Sequence, residues 1–531
     1  MSDSPLPEGR ILGVSGKTGS GKSILASWIV HDLKSRGQNY VFFPFSGDDA
    51  TRQELGSFYR SAISQITKLP AFAKGYQFLQ DAILQGQPST VDLEEHLIRI
   101  TSLSDSPLYW IVDGVDEAKP PAESFWQRTK LLLQRHPSSR FIVLSRHHSF
   151  GSQLLPEQII NLSVDTAKHD IAMFARTQTT KIPLLHGRPD LLDLALEAAV
   201  DLSDGMFLWT KLLLEDVARC GSICQVEEKL GYLPLGIDAM YNKMLDQIVT
   251  RHERDGICLQ RARYILEIVA SARRPMTVME VQHAQALAFI AVLGAEDDED
   301  ESPDGMNDRS VEDYLLDQPE KRILELCSPL VVISRGVVSL VHSSAKEFLD
   351  GLGETKAQSR GTGTSLAPKG DHLLSLICLE HLFLKTKIEP DAMAPGTPVL
   401  ELNSQYGAAP LHEYACRSLV YHVTRSLDSL LITGAKSSLY RFFMTGEVLT
   451  WLEECLMLSS EDGLVVVELC DELWELGEEL WDLLPEDWTS NPGFEVIDSG
   501  SEPSVGPPIP GAQTTSSPGS SPGRGKCYCK G

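Results

Sequence analysis

A doubly wound parallel α/β sheet over residues 1–165, followed by mainly helical segments, is the fold class that the sequence predicts. Three observations carry it. Near-continuous apolar runs alternate with helical patterns in the first third of the chain. A glycine-rich turn joins the first apolar run to the first helix. Beyond about residue 165 the strand-like runs give way to apolar residues at three- and four-residue spacing. A chain of 531 residues is too long for one hydrophobic core, so several domains are expected.

The first element is the short apolar run Arg10–Ser15, which enters the glycine-rich turn. A helical pattern, Ser23–Lys34, follows, and then the apolar run Tyr40–Phe45. Leu108–Val112 and Phe141–Leu144 are two further strands. Strands buried on both faces read as unbroken apolar runs, which is the signature of a parallel sheet covered by helices. Residues 168–176 and 204–219 have helical spacing, and in the second Phe207, Leu208, Leu212 and Val217 can share a buried face. From Tyr241 to about 349 the chain reads as mainly helical. It closes with Leu330–Ile333 and Val337–Val341 around a Ser334-Arg335-Gly336 turn. Glu296–Glu301 is an unbroken acidic run, read as a solvated loop, and residues 353–370 read as a linker. Residues 371–485 are helical again, ending in an acidic amphipathic helix over 462–485. The Ser-, Pro- and Gly-rich tail 486–531 is expected to be disordered.

Chemistry concentrates at three places. Gly16-Lys17-Thr18-Gly19-Ser20-Gly21-Lys22-Ser23 fits the phosphate-loop pattern G-x-x-x-x-G-K-[ST] at every position, between a strand and a helix as that pattern requires. Glycines let backbone N–H groups approach phosphates, Lys22 reaches the β- and γ-phosphates, and the Ser23 hydroxyl ligates Mg²⁺. The second place is Tyr109–Glu117, an apolar strand ending in acids. Asp113 is positioned to hold Mg²⁺, and Asp116 or Glu117 to orient or deprotonate a water. The third is Phe141–Arg146. Ser145 and Arg146 stand at a strand's C-terminal end, where ligands bind in open α/β sheets, and the planar fork of Arg146 suits a γ-phosphate.

These elements, in this order, resemble the NACHT family of signal-transduction P-loop NTPases (STAND class), in its fungal, nephrocystin-like branch. Later segments carry the resemblance to about residue 350: Asp204–Trp209, Leu233–Tyr241, Arg273–Thr277 and Val341–Leu349. It implies an NTPase domain over 1–165, a helical subdomain over 166–232 and a winged-helix domain over 233–352 containing the acidic loop 296–308. A C-terminal helical region over 371–485 follows. It also implies a switch: the winged helix folds over bound ADP, and a trigger with nucleotide exchange opens the protein for self-association. By its place in Val341–Leu349, His342 resembles the family's winged-helix histidine that touches the nucleotide phosphates. Met206-Phe207 occupies the place of the proline in the plant-type adenine-contacting element. In the family's fungal setting the implied role is non-self recognition or programmed cell death.

The expected cofactors are ATP or ADP with Mg²⁺. ATP is the default, because no N/T-K-x-D guanine-reading motif follows a strand, and GTP is left open. A formal net charge of -26 disfavours nucleic acid as a partner. No apolar stretch is long enough to span a bilayer, and MSDSPLPEGR has no secretory apolar core, so a cytoplasmic setting is expected. The ten cysteines read as reduced, packed small hydrophobes. Two other functions remain open on sequence: a dedicated phosphoryl-transfer enzyme and a nucleotide-binding scaffold without turnover.

Overall fold

The computed structural model describes residues 9–75, 90–119, 122–146, 150, 153–296, 311–355, 370–386, 410–432, 439, 442 and 447–458. All belong to the first of two compact units, residues 1–476. The acidic loop beyond Glu296, most of the linker, the acidic helix over 462–485 and the tail lie outside the described residues.

The first layer is a five-stranded parallel sheet in the order β2-β3-β4-β1-β5. Its strands are β1 (Ile11–Gly16), β2 (Tyr40–Pro44), β3 (Leu108–Asp113), β4 (Ser139–Ser145) and β5 (Ile159–Leu162). The helices among them are α1 (Lys22–Ser35), α2 (Leu55–Ile66), α3 (Thr90–Thr101) and α4 (Ala122–Arg135). Side chains alternate between the two faces of each strand. Val41, Phe43, Trp110, Val112, Phe141 and Val143 enter one core with residues of α2, α3 and α4. Ile111, Leu144 and Val14 enter the other with Ala26 and Leu33 of α1. Both faces being apolar explains the unbroken runs in the sequence. The Trp110 ring stacks on Phe141 with centroids 5.2 Å apart, and its indole N–H donates to Ser139 Oγ at 3.0 Å, so the polar edge is buried with a partner. The fifth strand was not expected. Ile159–Leu162 has only four residues, half-exposed on both faces, so it lacks the apolar run that marks the others.

Four helices follow: α5 (Val164–Thr179), α6 (Pro189–Asp201), α7 (Phe207–Ala218) and α8 (Ile223–Gly231). Ser163 caps α5 by accepting from the Thr166 backbone N–H. Buried Asp216 on α7 holds Lys229 of α8, and Lys243 from the next helix lies 3.3 Å from it. That helix, α9 (Gly236–His252), leads to α10 (Gly256–Ser271), β6 (Met276–Thr277), α11 (Val278–Glu296) and α12 (Pro319–Cys327). Then come β7 (Val331–Ser334), β8 (Val337–Leu340) and α13 (Ser343–Thr355). The three short strands form an antiparallel sheet in the order β6-β8-β7. The turn joining β7 to β8 has Arg335 and Gly336 at φ 52° and 77°, the left-handed pair of a two-residue hairpin. β6, two residues long, was also not expected. Three last helices, α14 (Gly370–Thr386), α15 (His412–Ile432) and α16 (Glu447–Leu458), complete the described chain. α14 packs along α15 and against α10 and α11. The architecture is thus a parallel α/β sheet followed by many helices.

Candidate nucleotide site

The sheet order places β1 between β4 and β5, with β3 beyond β4. In register, Ser15 lies beside Ser145, and Leu144 beside Asp113. The three predicted site segments therefore meet at the C-terminal edge of the sheet, where the chain reverses its direction of travel across the strands.

In the phosphate loop, Gly19 and Gly21 have φ of 73° and 92°, which glycine adopts without the Cβ penalty. Gly21 precedes α1 and no side chain caps that helix start, so its N-terminal N–H groups point into the loop. The Ser20 hydroxyl is buried with no hydrogen-bond partner. The Lys22 ammonium folds across the loop, donating to Gly16 O at 2.8 Å and Lys17 O at 2.9 Å. Partial burial lowers its pKa, while Asp116, Asp113 and Glu117 pull the other way. Thr18 lines an open cleft of about 710 Å³ with Gly16, Lys17, Arg146, Asn161 and Met206.

Asp113 is buried and shares a hydrogen bond with the Ser23 side chain. Burial raises its pKa, opposed by Ser23 and Lys22. These are the two residues predicted to hold Mg²⁺, and the loop beside them is a backbone cradle with an orphaned hydroxyl. A nucleotide polyphosphate with Mg²⁺ fits this donor set.

The two acids beyond Asp113 differ. Asp116 accepts from Ser145 Oγ at 2.6 Å and from the Arg146 backbone N–H at 3.2 Å, and it pairs with the Arg146 guanidinium. Burial would raise its pKa, but these bonds hold it below the ordinary value. Asp116 is thus occupied in fixing the end of β4. Glu117 accepts one bond, from the Gly47 N–H in the loop after β2. Burial pushes its pKa up to about 7. Of the two, Glu117 has the environment of a base.

Arg146 faces in two directions. One side pairs with Asp116; the other donates to Glu347 of α13, from Nη2 to Oε1 at 2.7 Å and from Nη1 to Oε2 at 3.2 Å. Both carboxylates push its pKa up against the effect of burial. His342, in the turn between β8 and α13, is close enough to Lys22 for that charge, after burial, to lower its pKa. Its Nδ1 accepts from the Ser344 backbone N–H at 3.1 Å, so the neutral ring carries its proton on Nε2.

The structure therefore brings Gly16–Ser23, Asp113, Asp116, Glu117, Arg146 and His342 to one edge of the sheet. Several partners were not legible in the sequence. Asp204, at φ 49°, pairs with Lys17, and the Leu208 N–H donates to Gly19 O at 3.2 Å, so the start of α7 rests on the phosphate loop. Gly47, Asn161 and Glu347 were also missed, and Ser145, expected at the ligand-binding end of its strand, was not foreseen as the partner of Asp116. Their pairings span tens to hundreds of positions and leave no local pattern.

Residues 3–146 match the family described as nephrocystin 3, N-terminal. Over 511 residues the chain is 23% identical to the vegetative incompatibility protein HET-E-1 of Podospora anserina, covering 85% of this chain and 33% of that one. The chain thus spans about a third of that relative's length. Among solved structures, the Orc1 protein of Aeropyrum pernix in complex with DNA has a TM-score of 0.29 at 16% identity, covering 64% of this chain and 86% of that one. AMPPCP-bound DnaA of Aquifex aeolicus has 0.20 at 12% identity, covering 71% and 88%. Structural similarity at that level bears no statement about function.

Proposed function

The chain is a NACHT-type P-loop NTPase, and from that premise we propose that it is a slow, nucleotide-dependent switch whose closed form is held by residues 233–352. The observation that carries this reading is the divided engagement of Arg146, between Asp116 of its own sheet and Glu347 of α13. An arginine at the end of β4 is placed to meet a terminal phosphate. Here the segment bearing His342 and Glu347 holds it instead. Arg146 therefore has two competing uses, which is what a two-state element needs.

ATP and ADP are the proposed nucleotides, with Mg²⁺ at Ser23 and Asp113. The nucleotide supplies the scissile bond and the cation its charge neutralisation; the chain supplies the rest. Lys22 binds the β- and γ-phosphate oxygens, and the loop N–H groups orient them. Glu117 holds the attacking water and accepts its proton at a carboxylate oxygen. Asp116 keeps Arg146 aimed at the cleft. His342 donates from Nε2 to phosphate when the winged helix, residues 233–352, is closed. Opening withdraws His342 and Glu347 together and leaves the NTPase face for self-association. No described helix is long and apolar enough to cross a membrane, and we place this cycle in the cytoplasm. Because HET-E-1 is named a vegetative incompatibility protein, non-self recognition leading to cell death is the proposed setting.

The test is Glu347→Ala. Its carboxylate is half-exposed, 53%, so the pair is screened. Its loss is worth about 0.2–1 kcal/mol, or roughly 1.5- to 5-fold in the closed-to-open ratio. ADP release should accelerate by that factor, and light scattering with ATP should detect larger species than for the parent protein. Unchanged release and unchanged size in a folded variant would contradict the reading.

A further inference from the structure

Away from the nucleotide cleft, a second group of ligating side chains converges where α15 meets α16. His412 opens α15, Cys416 lies one turn later on the same face, and Glu454 reaches across from α16. His412 Nε2 is 3.7 Å from Cys416 Sγ and 3.6 Å from Glu454 Oε2, and the thiol is 3.9 Å from that same oxygen. The three atoms form a nearly equilateral triangle.

We propose that His412, Cys416 and Glu454 bind a zinc ion that fastens α16 to α15. With Zn–S near 2.3 Å and Zn–N and Zn–O near 2.0–2.2 Å, the edges of a tetrahedral site are roughly 3.3–3.6 Å. The triangle exceeds that by a few tenths of an ångström, which side-chain rotation closes. Nδ1 and Nε2 of His412 lie almost equally far from the sulfur, 3.8 and 3.7 Å, so the ring must turn to aim Nε2 at the centre.

His412 and Glu454 pair with each other at 3.6 Å, but hydrogen bonding accounts poorly for the thiol between them. A thiol is a weak donor and a weak acceptor, so it gains little from a carboxylate oxygen at 3.9 Å. A cation at the centre meets all three groups at bonding distance. Imidazole, thiolate and carboxylate together suit zinc better than the hard ions Mg²⁺ and Ca²⁺. Binding deprotonates Cys416, with its proton released to solvent.

The surroundings resemble a built site. Cys416 is fully buried and His412 nearly so, while Glu454 keeps an exposed flank as an entry path. The Cys416 carbonyl accepts from the Trp451 indole N–H at 3.1 Å and from Cys455 Sγ at 3.5 Å, which fixes the turn that presents the thiol. The Cys455 thiol is engaged by the Cys416 carbonyl and is not one of the three grouped ligands, so the fourth vertex is left to water. The sequence concealed the set because its members come from two helices, with Glu454 38 positions beyond Cys416. No paired Cys-x-x-Cys or His-x-x-x-His marks it.

Metal content of the full-length protein tests the assignment. After dialysis against zinc and removal of the excess, mass-spectrometric elemental analysis should find one zinc per chain. Cobalt substitution should show a sulfur-to-metal charge-transfer band. Cys416→Ser and Glu454→Gln, each checked for fold by circular dichroism, should bind zinc at least 10- to 100-fold more weakly, the loss that even outer-shell changes cause. Cys224→Ser, an exposed cysteine elsewhere, should keep full content. Absence of stoichiometric zinc, or zinc retained undiminished in both site variants, would overturn the assignment.

Discussion

Glu117 is the residue whose behaviour most separates a working NTPase from a passive nucleotide binder. Burial moves its pKa from the ordinary 4.5 up to about 7. A base acts in its deprotonated form, so turnover should rise as pH increases through about 7. The same shift has a stability consequence. The native state binds this proton more tightly than the unfolded chain, so its contribution is fully present below about 4.5 and is lost as pH rises through about 7. Glu117→Gln should keep nucleotide affinity, lose roughly 10²- to 10⁴-fold in turnover and flatten the pH profile. Phosphate release measured across that range checks this. A variant with the parent rate and profile would move the base elsewhere. The acids themselves were legible, since an apolar strand ending in Asp113 and followed by Asp116 and Glu117 announces them. Their division of labour was not. It depends on Ser145 and Arg146 holding Asp116 while only Gly47 reaches Glu117.

At the scale of elements, the contact between α7 and the phosphate loop is the most exacting. A Cβ on Gly19 would lie 2.7 Å from Leu208 Cβ, and the residue sits at φ 73°. Gly19→Ala therefore combines backbone strain with a clash against a helix that cannot yield locally. Strain of this kind costs about 1–3 kcal/mol, and overpacking a similar amount. Gly37 is the control: its φ is 64°, but nothing lies within 4 Å of its added Cβ. Gly19→Ala should lower the melting temperature more than Gly37→Ala and weaken nucleotide binding at least tenfold, while Gly37→Ala leaves affinity unchanged. Calorimetry reads both, and equal effects would remove the steric argument. Long apolar strands and amphipathic helices were readable because their period is local. The four-residue β5 and the two-residue β6 were not, because each owes its existence to a neighbouring strand.

Across the whole molecule, hydrogen bonds link the sheet to the last helices. The loop after β2 donates from the Ala50 N–H to the Arg273 carbonyl at 2.9 Å. The Arg273 N–H donates to Tyr414 Oη at 2.9 Å, leaving that hydroxyl to donate to His422 Nε2 at 2.8 Å. His422 Nδ1 then donates to Asp371 at 2.8 Å. α14 and α15 are thereby tied to the segment that carries His342. The overall α/β class was legible in the sequence, and these ties were not, because the two that bridge the segments, Ala50 to Arg273 and Arg273 to Tyr414, join residues more than a hundred positions apart. The central claim is that this segment retains ADP through His342. A hydrogen bond from Nε2 to a charged phosphate is worth about 1.5–3 kcal/mol, or roughly ten- to a hundredfold. Such a factor falls short of a full reversal of a two-state equilibrium, so Glu347 and the other closed-state contacts must share the restraint. The most direct measurement is the dissociation rate of a fluorescent ADP, by stopped flow, from the parent protein and from His342→Ala. A closed state held by this histidine predicts release faster by roughly ten- to a hundredfold. An unchanged rate in a folded variant would contradict it and leave His342 as a packed histidine beside the cleft.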